Sequence, residues 1–111
     1  MIIGIWRAKR NPAKSLEEIK KFQHDYVVKE MQSVKGCLGV LNFHSETEWG
    51  TIQIWESVEA DDAEDNSPQA KKIYEAQKAA GLLPLEGETS YERFEVHNGF
   101  AVKDVFEKYL K

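Results

Sequence analysis

The sequence predicts one α+β domain of β-α-β-β-α-β order, the ferredoxin-like arrangement in which two helices pack on one face of a four-stranded antiparallel sheet. Three observations carry this. Four β-branched and aromatic runs are interleaved with two stretches whose apolar residues recur at helical spacing. A serine opens each helical stretch and a glycine closes it. A short polar link joins the two middle runs, which makes them a hairpin.

The elements follow in order. Residues 2–8 suit a strand, broken by Lys9-Arg10-Asn11-Pro12. Ser15-Leu16-Glu17-Glu18 forms a capping box, with Ser15 and Glu18 each bonding the other's backbone amide. Leu16, Ile19, Phe22, Tyr26 and Met31 then mark the inner face of a helix from about Ser15 to Val34, ended by Gly36. Strands are expected at 37–44 and 50–56, linked by Ser45-Glu46-Thr47-Glu48. Residues 58–66 are acidic and are read as an irregular, solvated stretch. Ser67 caps a second helix with Pro68 in its first turn. Ala70, Ile73, Tyr74 and Gln77 form its inner face and Gly81 its end. Leu82-Leu83-Pro84-Leu85 is an apolar connector, and 89–97 alternate as a last strand. Asn98-Gly99 turns the chain into an amphipathic tail carrying Val102, Val105, Phe106 and Tyr109-Leu110. The expected division is a domain over residues 1–98 and a tail over 99–111, docked on the body or on a partner subunit. The expected core includes Ile3, Ile5, Leu16, Ile19, Phe22, Tyr26, Leu38, Ile52, Ile54, Ile73 and Phe94.

Composition narrows the function classes. A chain of 111 residues with 41% hydrophobic and 31% charged residues is an ordinary folded domain. The formal net charge is −4 and no basic block occurs, which argues against a nucleic-acid partner. No run reaches membrane-spanning length, and Met1 to Arg7 is too soon charged for a signal peptide, so the expected location is cytoplasmic. Cys37 is the single cysteine, and it reads as a small buried residue rather than a disulfide partner. The three histidines stand in three separate elements, and no metal-ligand pair, calcium loop or phosphate loop is present, so no cofactor is expected.

Strand alternation separates two faces of the sheet. Ile52 and Ile54 share one with Phe94 and Val96, and these are the expected helix contacts. Thr51, Gln53 and Trp55 share the other with Tyr91, Arg93, Glu95 and His97. That second face is too aromatic for water alone and too polar for a dry core. It is either a solvated face with incidental aromatics or a cavity closed by another subunit, which makes a homodimer the expected assembly.

Gln53-Ile54-Trp55-Glu56-Ser57-Val58-Glu59-Ala60 resembles the "W-E-S-x-E-A" stretch that ends the third strand in antibiotic-biosynthesis-monooxygenase-like proteins. Lys35-Gly36-Cys37-Leu38-Gly39-Val40 resembles their entry to the second strand, and Asn66-Ser67-Pro68 the start of their second helix. The resemblance covers residues 1–97. It implies a dimeric α+β barrel in which two ferredoxin-like sheets pack face to face, with small ligands entering between sheet and helices. It implies, further, either cofactor-free oxygenation of an aromatic or quinol small molecule, or a non-catalytic ligand-binding or structural homodimer. The haem-degrading branch carries a Trp nine residues after the Trp of this stretch and a His ten beyond that. Glu64 and Tyr74 occupy those positions here, which argues against haem degradation.

Cofactor-free oxygenation needs a substrate anion, a proton acceptor and a group that stabilises negative charge. Arg93 is the candidate anion stabiliser, since it cannot lose its charge; the alternative is a structural pair with a carboxylate. His97 and His44 are the candidate proton acceptors, against structural or solvated roles. Trp55, Gln53, Tyr91 and Tyr74 are the candidate substrate contacts, although Trp55 equally suits an interface. His24 lies among polar neighbours and is expected to be exposed.

Overall fold

The computed structural model describes residues 1–110. It contains β1 (Ile2–Lys9), a long first helix α1 (Leu16–Met31), β2 (Cys37–His44), β3 (Glu48–Trp55), α2 (Val58–Glu64), α3 (Pro68–Ala79), β4 (Thr89–Glu95) and α4 (Val105–Tyr109). The sheet order is β2-β3-β1-β4, with every neighbouring pair antiparallel. This is the ferredoxin-like topology expected from the sequence.

The first helix begins at the capping box. The Glu18 amide donates to Ser15 Oγ at 3.1 Å, and the Ser15 amide donates to Glu18 Oε2 at 2.7 Å. An α-helical stretch, Leu16–Phe22, passes into a π-helical one, Gln23–Val28, and returns to α at Lys29–Met31. The sequence carries a mark of this. Phe22 and Val27 are both buried, and a step of five residues brings them to one face only if the turn is widened. Tyr26, expected in the core, is instead exposed and stacks on Phe22, with ring centroids 6.1 Å apart. Buried Gln23 donates through Nε2 to the Gly50 carbonyl at 2.9 Å, pinning the π-turn to β3. The helix ends at Met31, short of the expected Val34, and Gly36 lies in the turn that leads into β2 at φ +83°, where a Cβ would also meet Ala60.

The assignment of sheet faces is inverted relative to expectation. The helices cover the face that carries Ile2, Trp6, Ala8, Trp49, Thr51 and Trp55, of which all but Trp6 are buried. Trp49 meets Trp6 edge to face at 5.0 Å and Phe22 at 6.0 Å, contacts worth ~0.5–1.5 kcal/mol each beyond simple burial. Ile3, Ile5, Ile52, Ile54 and Phe94 lie on the opposite, open face. The register sets Ile3 between Ile54 and Phe94, and Ile5 between Ile52 and Glu92. Phe94 is 47% exposed, and Leu38, also expected in the core, is 58% exposed. Alternation alone cannot distinguish these faces, because both are rich in large side chains.

The acidic run is not irregular. Ser57 Oγ accepts from the Ala60 amide at 3.1 Å and starts α2, whose first turn holds Glu59 and Asp61, favourably placed at a helix N-terminus. Ser67 likewise caps α3, accepting from the Ala70 amide at 3.0 Å. Among the described residues the tail forms only the short α4, and Phe100, Val102 and Tyr109 are exposed. The last residue of the expected tail, Lys111, lies outside the described residues.

Candidate active site

A cleft of about 660 Å³ opens between the helix-covered face of the sheet and helices α2 and α3. Trp6 of β1, Gln53 of β3, and Tyr91 and Arg93 of β4 form its sheet side. Asp61, Asp62 and Glu64 of α2, and Ile73, Tyr74 and Gln77 of α3, form its helical side. Strand register explains the first set. Gly4 pairs with Gln53 on one side and Arg93 on the other, and Trp6 pairs with Thr51 and Tyr91. Helical spacing explains the second, since Asp61 and Glu64 stand one turn apart, as do Ile73 and Gln77.

Gly4 makes room for the site. A Cβ there would collide with the Tyr91 side chain, which lies across the strand. The Tyr91 hydroxyl donates to Asp61 Oδ2 at 2.6 Å. Burial, then this bond, then the Asp61 charge push the Tyr91 pKa far up, so the phenol holds its proton at neutral pH. Arg93 Nη1 donates to Asp62 Oδ1 at 2.7 Å and stands 3.5 Å from Asp61 Oδ2. The guanidinium is therefore bound by carboxylates of α2. Asp61 is buried and answers its burial with these two partners.

Gln53 accepts the Trp55 indole N–H on Oε1 at 3.0 Å. Trp55 is fully buried beneath it and does not line the cleft. Among the described residues the Gln53 amide NH₂ has no partner, which leaves a donor on a residue that lines the cleft.

Behind the cleft lies a smaller pocket of about 150 Å³, walled chiefly by Trp6, Phe22, Val27, Met31 and Trp49. Trp6, Gln53, Glu64, Ile73 and Gln77 border both spaces. Glu64 is thus a carboxyl group facing an aromatic chamber. Burial, with the charges of Asp65 and Asp61 adding, pushes its pKa up to about 7. Cys37 is half-buried, and burial raises its thiol pKa, which works against a thiolate nucleophile.

Of the residues picked out in the sequence, the structure brings together Arg93, Gln53, Tyr91 and Tyr74 at one cleft. Trp55 supports it from below. His44 and His97 are exposed, the first at the end of β2 and the second beyond β4, and neither lines the cleft. Sequence reasoning missed Asp61, Asp62 and Glu64. The Ser57 cap was the available signal that their run is helical, and helical spacing would have placed Asp61 with Glu64.

Among the described residues no helix is long and apolar enough to cross a membrane. No protein-family model matches the chain, and no curated protein matches it. Solved structures do. The chain superposes on the monooxygenase from the gene ActVA-Orf6 of Streptomyces coelicolor, solved in complex with Nanaomycin D, with a TM-score of 0.67, 17% identity, and 91% of each chain covered. It superposes on SnoaB, a cofactor-independent oxygenase of Streptomyces nogalater, with a TM-score of 0.66 and 10% identity, covering 88% of this chain and 94% of that one. A protein of unknown function from Nitrosomonas europaea matches with a TM-score of 0.68 and 13% identity, covering 91% and 93%. Many high-probability neighbours are antibiotic-biosynthesis-monooxygenase-like proteins, and their ferredoxin-like fold is the fold of this chain.

Proposed function

We propose that the chain is a cofactor-independent monooxygenase of small aromatic or quinol molecules, working as a homodimer. The observation that carries this is the cleft: Trp6, Tyr74 and Tyr91 offer aromatic surface, and Gln53 and Arg93 offer donors, in a space large enough for a fused aromatic ligand. The fold neighbours with named oxygenase activity support the same reading. For an anthrone-like substrate the reaction balances without a cofactor. The ring CH₂ becomes C=O and gives four electrons to O₂; one oxygen atom enters the product and the other leaves as water. In this scheme Arg93 and Gln53 hold the substrate oxyanion.

The second reading is a binding protein without chemistry, and Arg93 favours it, because its guanidinium is already held by Asp62 and Asp61. A panel of hydroquinones and anthrones under O₂ separates the two. Turnover that falls in Arg93→Ala supports the enzyme; binding without turnover across the panel supports the second reading. An Arg93→Ala variant as active as the parent removes Arg93 from the mechanism.

The homodimer rests on the open sheet face. Ile3, Ile5, Leu41, Ile52, Ile54 and Phe94 form a nearly continuous apolar surface across all four strands, interrupted by the exposed Arg7–Glu92 pair. A second copy of the sheet is its natural cover.

A further inference from the structure

The four carboxylates around the cleft differ in what they are free to do. Asp61 accepts from Tyr91, and Asp62 from Arg93. Asp65 is exposed at the C-terminal end of α2. Glu64 alone of the four also lines the aromatic pocket behind the cleft. Among the described residues no lysine or arginine pairs with it.

We propose that Glu64 is the residue that takes the proton from a weakly acidic aromatic molecule bound across the cleft and the pocket behind it. The proposal rests on the cleft accepting such a molecule. A Glu64 carboxylate oxygen receives the proton of a phenolic O–H, or of a CH₂ flanked by aromatic rings. The bonding electron pair stays on the ligand as a phenolate or enolate, and the carboxylate becomes a neutral acid. No electron is transferred in this step.

The surroundings favour it. A carboxylate beside an apolar chamber is poorly solvated, so neutralising it by proton uptake is favourable. The neighbouring charges on its own helix, Asp61 and Asp65, act in the same direction. From β4 come Arg93, whose charge offsets the ligand anion, and Tyr91, which holds its proton. Tyr74 is the titratable residue that α3 brings, and Cys37 the one from β2. β1, β3 and the first helix contribute Trp6, Gln53 and Phe22, which do not titrate. With a pKa pushed up to about 7, Glu64 is a base matched to neutral pH.

The test reads the proton without the oxidation. Anthrone is added under nitrogen to the parent protein and to Glu64→Gln. Binding is followed by quenching of tryptophan fluorescence, and deprotonation by the visible absorbance of the anthrone enolate. Both proteins are expected to quench comparably, while the enolate band of the variant falls at least about tenfold at pH 8. In the parent the band is expected to rise through about pH 7. If Glu64→Gln does not fold, Glu64→Asp, which withdraws the carboxylate by one methylene, is expected to quench fully with a weaker band. An equal band in a variant that binds overturns the role of Glu64 and leaves the cleft reading standing. Absence of quenching in the parent overturns the cleft reading, and the proposal with it.

Discussion

Tyr91 and Asp61 are joined by a 2.6 Å hydrogen bond that ties β4 to helix α2 across the cleft. β4 is an edge strand, paired only with β1, and among the described residues this bond and the Arg93 contacts with Asp62 and Asp61 tie it to α2. Removing the hydroxyl with Tyr91→Phe leaves buried Asp61 with Arg93 as its remaining partner. The expected loss is about 1–2 kcal/mol, at the lower end because Tyr91 is 41% exposed. Urea unfolding checks this, and an unchanged midpoint would show that the bond contributes nothing.

Gly4 should depend on the same contact. A methyl group at this position collides with the Tyr91 side chain, so Gly4→Ala is expected to displace Tyr91 from Asp61. Gly4→Ala combined with Tyr91→Phe should therefore cost less than the sum of the two single changes. Strict additivity would mean that Gly4 acts independently of Tyr91.

Glu64 makes stability depend on pH in a definite direction. Its pKa is raised in the folded state, to about 7 from 4.5, so the native protein binds the extra proton between those values. Its destabilising contribution is absent below about pH 4.5, grows as pH rises and is complete above about 7. Glu64→Gln is expected to melt higher than the parent at pH 8, with the difference shrinking toward pH 5. A difference independent of pH, or one of opposite sign at pH 8, would contradict the raised pKa.

The open sheet face should respond to charge. Ile52→Lys places an ammonium at the centre of the apolar surface, beside Leu41 and Ile5, without touching the helix-covered core. The expected outcome is a dimer mass for the parent and a monomer mass for the variant in sedimentation at micromolar concentration. A parent that sediments as a monomer would refute the dimer.

The element order was legible because local chemistry marks it. Ser15 with Glu18, Ser67 with Pro68, and Gly81 stand where the structure begins or ends its helices, while the first helix stops at Met31, before the Gly36 that the sequence offered as its end. The face assignment was not legible. Ile52 and Ile54 look like core residues, and Thr51, Gln53 and Trp55 like a partly wet surface, yet the helices cover the second set. A sheet whose open face is itself apolar defeats the rule that the more hydrophobic parity points at the helices. The site suffered from the same kind of ambiguity. Arg93, Gln53, Tyr91 and Tyr74 were found by parity and inner-face position, and they do meet. Asp61 and Glu64 were lost because a run of acids reads as solvated until Ser57 is recognised as a cap.

The reading of the cleft as an oxygenation site is tested most directly by oxygen uptake with anthrone at neutral pH. The expected result is consumption above the protein-free rate, proportional to protein and yielding the quinone, and lost in Ala70→Trp, which fills the cleft from α3 while leaving the open sheet face untouched. Uptake no faster than the protein-free rate, or undiminished in a folded Ala70→Trp variant, would contradict it.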